Sequence, residues 1–358
     1  MISHRRFLLT SLLILAGAHV PASLEGQSAM RELRREAGEE VRLGLRQVLR
    51  LGSEDGANDA FGRVMGAAFG GSGRIYLADD RNFRVSVFEG DGRFVGHIGR
   101  QGNGPGEFAR PWVVAADARD SVFVWDGTHR RISVFGPDLR FARSFGTPPE
   151  WLVNGMEVLP GGRLLVSAYA SGSSRAVHLL DREGRVVRSI GPAIPPQDLS
   201  GFEASLLGGT AVFDGGTIAF ASKSPYEITY FDVQGRMQGR CRAAAGIVSD
   251  PASVVVSNAQ GVGLQWSRYV HVGGIVSLGG ETHLVMIRDP VEDRTLLDVV
   301  GPGCTLLRRS SLPGPATFAA RRGNRLLVIR NVDVPQVVVY EYSLERGDPP
   351  PPSRRRPR

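Results

Sequence analysis

The amino-acid sequence predicts an all-β fold, a six-bladed β-propeller of four-stranded antiparallel blades, and three observations support this prediction. A stretch of 25 residues, Ile75–Gly99, returns as Val122–Gly146 with nine identical positions at a constant offset of 47 residues. Short runs of β-branched and aromatic residues, separated by Gly, Asp and Asn, continue for about 300 residues, as in antiparallel meanders. The last unit lacks one strand, which the N-terminal part of the chain can supply. Repeat periods of about 20–50 residues are typical of solenoids and propellers.

Each unit is predicted to contain four strands, labelled a to d from the centre of the ring outward. In the first unit, Gly70–Gly73 joins strands a and b, and Gly90–Gly92 forms a tight c–d hairpin turn. The units are predicted at Met65–Ile98, Val113–Phe145, Met156–Ile190, Ala211–Cys241, Gly274–Arg309 and Thr317–Tyr342, the last with three strands.

The missing strand is predicted at the N-terminal side of the repeats. Arg46–Gly52 has the register of a strand d, because Gly52 precedes Gly99 by the repeat length of 47 residues, as Phe61 precedes Phe108. We therefore expect the N-terminal strand to complete the last blade. Such closure removes the sheet edges that would otherwise pair with other chains.

The two ends of the chain differ from this body. Residues 1–22 resemble a secretory signal peptide, because Arg5 and Arg6 precede the apolar run Phe7–Ala18 and small residues follow at Val20–Ala22. Residues 23–45 form a polar lead-in, compatible with a short helix outside the core, and 46–345 form the propeller. Residues 346–358, rich in Pro and Arg, are predicted to be a disordered tail. We expect an exported protein, periplasmic or extracellular, with no membrane span after signal removal.

The charge of the chain argues against nucleic acid as the partner. The formal net charge is +7, but six of the arginines lie in the signal segment and the tail, so the body is close to neutral. A nucleic-acid-binding domain usually carries a basic patch in its folded part. The expected partner is a protein, peptide or glycan, and the expected oligomeric state is a monomer.

The chain contains two cysteines, Cys241 and Cys304. Export permits a disulfide. The repeat register, however, puts both on outer strands of neighbouring blades, which diverge outward, so their Cα separation is expected to exceed the roughly 7 Å limit for bridging. The sequence therefore favours two unbridged cysteines without excluding the bond.

One stretch resembles a known family. Gly102–Phe108, followed by Arg110-Pro111, a strand, Ser121–Asp126 and Arg131–Phe135, is similar to the NHL repeat of six-bladed propellers; the resemblance is strongest over residues 61–146 and fades in later blades. The recurring Asp and Arg of that family correspond here to Asp79, Arg84, Asp126 and Arg131. Because they recur at the b–c turn, we interpret them as structural, with opposite charges paired across the hairpin. The resemblance implies a fold more firmly than a function.

The long connections indicate a binding face. Strand direction alternates within a blade, so the b–c turns and d–a connections emerge on one face. The d–a connections, Gly99–Pro111, Gly146–Gly155, Gly191–Thr210 and Arg242–Gly273, are long and irregular. Insertions gathered on one face of a repeat protein usually mark its binding side. Arg and aromatic residues are frequent anchors of interfaces, and the candidates on this face are Arg81, Asn82, Arg100, Arg110, His129, Arg130, Trp151 and Trp266, with Phe202 and Tyr226 as further aromatic residues.

The alternative is a metal-dependent hydrolase or lyase with Ca²⁺ or Zn²⁺ in the central channel. His271 and His283 could contribute ligands to such a site. The predicted innermost strands hold almost no carboxylates, Glu157 being the exception, with Asp117 just past another such strand. No cofactor and no catalytic residue are therefore predicted. An exported binding scaffold is the favoured function, and a purely structural role in the cell envelope remains a third hypothesis.

Overall fold

The computed structural model describes residues 30–34, 41–54, 58–170, 175–191, 209–249, 255–258, 261–264, 268–331 and 333–346. The signal segment, the tail beyond residue 346, Phe202 and Trp266 lie outside these ranges. The fold is the expected ring of six blades, each with four antiparallel strands. None of the helical turns in the described residues has the length and apolar character that a bilayer-spanning helix requires.

The strands follow the repeat. Two precede blade 1: β1 (Met30–Glu32) and β2 (Val41–Leu51). Blade 1 consists of β3 (Val64–Phe69), β4 (Ile75–Asp79), β5 (Arg84–Phe88) and β6 (Phe94–Ile98). Blade 2 consists of β7 (Pro111–Ala116), β8 (Val122–Asp126), β9 (Arg131–Phe135) and β10 (Phe141–Gly146). Blade 3 consists of β11 (Trp151–Leu159), β12 (Arg163–Ala170), β13 (Val177–Leu180) and β14 (Val186–Ile190).

Blades 4 to 6 continue in the same order. Blade 4 consists of β15 (Gly209–Asp214), β16 (Thr217–Ser222), β17 (Glu227–Asp232) and β18 (Met237–Arg242). Blade 5 consists of β21 (His271–Gly279), β22 (Thr282–Asp289), β23 (Arg294–Gly301) and β24 (Thr305–Pro313). Blade 6 contains β25 (Thr317–Arg322), β26 (Arg325–Arg330) and β27 (Gln336–Arg346). Between blades 4 and 5, β19 (Val255–Asn258) and β20 (Gly261–Leu264) form a hairpin within the long connection.

The ring closes as predicted. β2 pairs antiparallel with β27, from Val41 opposite Arg346 to Leu51 opposite Val337, and becomes the outermost strand of blade 6. The pairing starts at Val41 and not at Arg46, since β2 and β27 stay in register for five further positions, from Leu45 opposite Tyr342 to Val41 opposite Arg346. The polar lead-in predicted for 23–45 is correspondingly shorter.

The residue types of each strand follow from how deeply that strand is buried in its blade. Every residue of β4 and β8 is buried, because a second strand contacts neighbouring blades on both sheet faces. Such strands are continuous apolar runs. The outermost strands are more polar, and four of the five residues of β14 are exposed. Burial thus falls from the middle of each blade to its rim.

The buried apolar residues of the described part of the chain form six separate clusters. Each buried apolar cluster joins two adjacent blades, and together the six clusters run around the ring. Phe108 lies in the cluster between blades 1 and 2, and Phe61 occupies the equivalent position between blades 6 and 1. The cluster between blades 6 and 1 forms only when β2 and β27 bring blade 6 against blade 1, so ring closure and core formation depend on each other.

The lead-in contains a strand. β1 pairs in parallel with β18, so that the sheet of blade 4 has five strands, and Leu33 donates its backbone N–H to the carbonyl of Arg242. Arg34 then bridges to Thr305 at the start of β24. The short helix considered for this segment is therefore wrong for residues 30–34, which connect the rims of blades 4 and 5.

The two cysteines are bonded. Cys241 and Cys304 form a disulfide with a Cα separation of 5.6 Å. The preference for unbridged cysteines was wrong because Cys304 does not lie in an outer strand. It lies in the turn that precedes β24, next to the end of β18 and β1.

Candidate functional site

The face that carries the b–c turns and d–a connections, here called the long-connection face, surrounds one mouth of the central channel. The innermost strands of all six blades line a cavity of about 360 Å³. Most of its lining residues are of apolar type, and the polar side chains among them are Asn154, Glu157, Ser277 and Arg321.

The structure separates the groups considered for a metal site. Glu157 lines the channel, whereas Asp117 holds the a–b turn of blade 2 by accepting the backbone N–H groups of Arg119 and Ser121 at 2.8 Å each. His271 and His283 are buried at opposite ends of the first two strands of blade 5. Among the residues described, no three His, Cys, Asp or Glu side chains gather as a metal site.

The connection between blades 1 and 2 is held in one conformation. Glu107 accepts from the Gly104 backbone N–H at 2.9 Å and from the Arg100 guanidinium at 2.8 Å, and these hydrogen bonds lower its pKa. Arg131 donates to the carbonyls of Gly104 and Glu107 at 2.7 and 2.8 Å. This loop between blades 1 and 2 is therefore a structural joint, although the Arg100 side chain remains 82% exposed.

In blades 1 and 2 the repeated Asp residues accept backbone N–H groups and do not bind the Arg across the turn. Asp79 and Arg84 are register partners, as are Asp126 and Arg131. Asp79 is fully buried and accepts the N–H groups of Gly62 and Arg63 at 3.0 Å each, and Asn82 Nδ2 at 2.7 Å. Each Asp thus fixes its b–c turn to the start of its innermost strand.

Two predicted binding residues belong to these joints. Asn82 binds Asp79 and the carbonyl of Ala60 at 3.2 Å. His129 binds Asp126 through Nδ1 at 2.9 Å and the Asn103 side chain through Nε2 at 2.8 Å. Their side chains are therefore engaged within the propeller.

A group of basic side chains remains at the channel mouth. Arg63 and Arg110 immediately precede the innermost strands of blades 1 and 2, and both approach the buried carboxylate of Asp80, at 2.9 Å and 3.7 Å. The guanidinium of Arg110 lies 4.5 Å from the ring centroid of Trp112, and Arg81 beside Asp80 is exposed. We name Arg63, Asp80, Arg81, Arg110 and Trp112 the arginine cluster.

The two aromatic candidates within the described residues, Trp151 and Tyr226, are not at the surface. Trp151 is 4% exposed and stacks on His178 with ring centroids 4.0 Å apart, and the Arg130 guanidinium donates to its carbonyl. It belongs to β11, which begins five residues earlier than predicted and shortens the preceding connection. Tyr226 is likewise buried in the cluster between blades 4 and 5. Trp266 and Phe202 lie outside the described residues.

Burial of His178 makes stability depend on pH. Desolvation lowers the pKa of His178 to about 4, from an ordinary value of 6.5. The unfolded chain takes up this proton near pH 6.5 and the folded chain resists it down to about 4, so stability falls as the pH drops through this window. We expect a loss of about 3 kcal/mol from this residue. Urea unfolding at pH 7 and 4 should show a smaller acid loss in His178→Gln than in the wild type.

Three features of this face were missed in the sequence. The Asp–Arg pattern returns in blade 5, where Arg294 Nε donates to Asp289 at 3.1 Å, and its five-residue spacing could have revealed it. Asp80 carries no repeat signal, because Gly127 occupies the equivalent position. Lys223, a buried residue at the b–c turn of blade 4, is the only lysine among 43 Lys and Arg residues, and a residue count would have found it.

Comparisons with known proteins agree with the fold. The model of the DUF5128 family, described as a 6-bladed beta-propeller, matches residues 68–144, which the structure places in blades 1 and 2. A Bacteroides fragilis protein provisionally named as exported has a TM-score of 0.58 at 12% identity, with 89% of this chain and 99% of that chain covered. A member of the DUF4221 family from Bacteroides vulgatus has a TM-score of 0.62 at 10% identity, with 86% and 99% covered.

These similarities establish the six-bladed architecture. At identities of 10–12% they concern the fold and not the chemistry of a site. The comparison with curated protein sequences gives no match.

Proposed function

We propose that this protein is an exported, NHL-like propeller, periplasmic or extracellular and monomeric, that binds a protein, peptide or glycan on its long-connection face. The arginine cluster is the binding site, and the bound segment of the ligand carries carboxylates. The observation that carries this proposal is the convergence of Arg63 and Arg110 on Asp80 at the channel mouth, with exposed Arg81 beside them.

The charge of the cluster supports an anionic ligand. The five residues of the cluster carry three guanidinium groups and one carboxylate, that of Asp80, so its positive charges outnumber its negative one. The side chains of Arg63 and Arg110 are about one third exposed, while that of Asp80 is 2% exposed. A ligand therefore meets the arginines and not the carboxylate. Arg binds carboxylates through paired donors, and Arg and Trp are enriched at binding hot spots.

The disulfide supports export. Disulfides form and persist in oxidising compartments and are rare in the cytosol. The bond between Cys241 and Cys304 is buried between blades 4 and 5, where it can contribute to the mature protein. The provisional naming of the Bacteroides fragilis protein as exported agrees with this location.

Binding is tested with two defined probes, a fluorescent octaglutamate peptide and a fluorescent alginate oligosaccharide, by anisotropy at low and physiological salt. We expect at least one probe to bind in a salt-dependent manner. The double variant Arg81→Ala/Arg110→Ala should weaken that binding about tenfold or more, since interface arginines commonly contribute more than 1 kcal/mol each.

The matched control is Arg93→Ala/Arg140→Ala. These arginines belong to the c–d turns of the same two blades, on the opposite face, and their side chains are 69% and 87% exposed. This variant loses the same charge and should bind like the wild type. Equal weakening of binding in both double variants would show non-specific attraction and contradict the assignment of the site. If neither probe bound to the wild type, the proposal would be wrong.

A further inference from the structure

Lys223 has a position that its residue type alone does not explain. All the remaining Lys or Arg positions of the chain are occupied by arginine. Surface arginines of this protein are mostly exposed, whereas Lys223 is 9% exposed. It follows β16 directly, at the b–c turn of blade 4, on the long-connection face.

The backbone around Lys223 is fixed from two sides. Its carbonyl accepts the N–H of Val272 in β21 at 3.0 Å, which ties the turn to blade 5. The next residue, Ser224, donates its hydroxyl to the carbonyl of Ser249 at 2.7 Å. The Cα of Lys223 is therefore held in place, and the orientation of its side chain follows from this anchoring.

The amine of Lys223 contacts a residue that lines the channel. Lys223 Nζ donates to Asn154 Oδ1 at 3.0 Å, and Asn154 is one of the polar residues that line the central cavity. Asn154 lies where β11 departs from regular pairing with β12, between Val153 and Gly155. A lysine of blade 4 thus places its amine beside the channel surface of blade 3.

The surroundings of the amine disfavour its charged form. Burial lowers the pKa of Lys223 to about 8. His271 lies close enough for the two charges to interact, and burial together with Lys223 and Arg288 keeps this histidine neutral. About half of the amine is therefore neutral and nucleophilic at pH 8, whereas an exposed lysine is almost entirely protonated at that pH.

We infer that Lys223 is a carbonyl-binding residue, which captures a small aldehyde that enters through the central channel. The lone pair of the neutral amine attacks the carbonyl carbon and forms a C–N bond. The resulting carbinolamine loses water to give an imine, and water reverses the reaction, so no oxidant or reductant takes part. A lysine in a desolvated site is the residue type suited to this chemistry. The inference goes beyond ligand binding at the arginine cluster and does not depend on it.

The test is reductive trapping with glyoxylate and sodium cyanoborohydride, which converts the imine to a stable secondary amine. The purified protein is labelled in its folded state and, separately, in 8 M urea, over a range of pH. Cleavage at arginine followed by mass spectrometry locates the label, and because Lys223 is the only lysine, the α-amino group of the chain is the only competing amine.

The two states give opposite expectations for a reactive and for a structural lysine. If Lys223 captures carbonyl compounds, it should be labelled at pH 8 about tenfold or more faster in the folded chain than in urea, with a pH midpoint near 8. A lysine with only a structural role would be protected by burial and labelled more slowly when folded. Slower or equal labelling, or a midpoint near 10, would overturn the inference.

A variant serves as the matched control. Lys223→Arg keeps the positive charge and a donor for Asn154, and it should abolish label in this peptide while the α-amino label stays unchanged. Persistence of label in the peptide would overturn the assignment. The comparison of folded and unfolded wild type needs no variant, so the test remains decisive if the larger guanidinium prevents folding.

Discussion

Removal of the disulfide, by Cys241→Ala/Cys304→Ala, is expected to lower the free energy of unfolding by about 4 kcal/mol. The bond closes a loop of sequence separation 63, and in the chain-entropy model a loop of this length restricts the unfolded ensemble by about that amount. Alanine avoids placing a hydroxyl in the apolar cluster that holds both sulfurs. Urea unfolding of the oxidised wild type and the variant, with equal m-values, measures the difference.

Reduction of the wild type provides the control for this prediction. Dithiothreitol should give a similar loss in the wild type and no change in the variant, because the variant has no bond to reduce. A loss of less than about 1 kcal/mol in both experiments would mean that the unfolded chain is already restricted or that the native bond is strained.

The disulfide between Cys241 and Cys304 was not predicted from the repeat register. The register correctly gave the order of the strands in each blade, and it placed Cys241 in the outermost strand of blade 4. It was wrong for Cys304, which lies in a turn with a positive φ of 74°. The contacts of β1 with β18 and of Arg34 with Thr305 also join the two rims there. Nothing in the repeat encodes β1, because the strand occurs once.

The fold was predictable because the same physical requirement returns in every blade. A second strand needs a continuous apolar run, and a tight turn needs Gly or Asp, so the pattern can be read several times over. Closure was predictable for the same reason, since Gly52 and Phe61 keep the register of Gly99 and Phe108. Blade 5 was the least regular in sequence, and its innermost strand begins three residues earlier than predicted.

The candidate site was harder to predict because its residues are not repeated. Arg110 was identified from its place on the long-connection face, but its contacts with Asp80 and Trp112 depend on how blades 1 and 2 meet. Trp151 was placed on a connection, whereas the extension of β11 buries it. A sequence pattern that occurs once cannot show whether a segment is a loop or the extension of a strand, because packing between the blades decides this.

Asp126→Ala is expected to destabilise the propeller by about 4–5 kcal/mol, at the upper end for single substitutions. The carboxylate is fully buried and accepts five hydrogen bonds, from the backbone N–H groups of Ala109, Arg110, Thr128 and His129 and from His129 Nδ1, at 2.8–3.1 Å. Each buried donor left without an acceptor costs about 1–3 kcal/mol, although water entering the cavity can satisfy some of them. Urea unfolding of variant and wild type measures the loss.

Two variants separate this role from a general effect of losing a carboxylate. Asp138→Ala removes an exposed aspartate of the same blade that accepts one backbone N–H, from Arg140 at 3.2 Å, and it should cost less than about 1 kcal/mol. Asp126→Asn keeps one acceptor oxygen and should fall between the two. Because Asp126 fixes the backbone of Arg110, the alanine variant should also weaken octaglutamate or alginate binding under conditions in which it is still folded. Normal stability in Asp126→Ala would show that these amides find other acceptors, and the joint at the channel mouth would then not depend on the repeated aspartate.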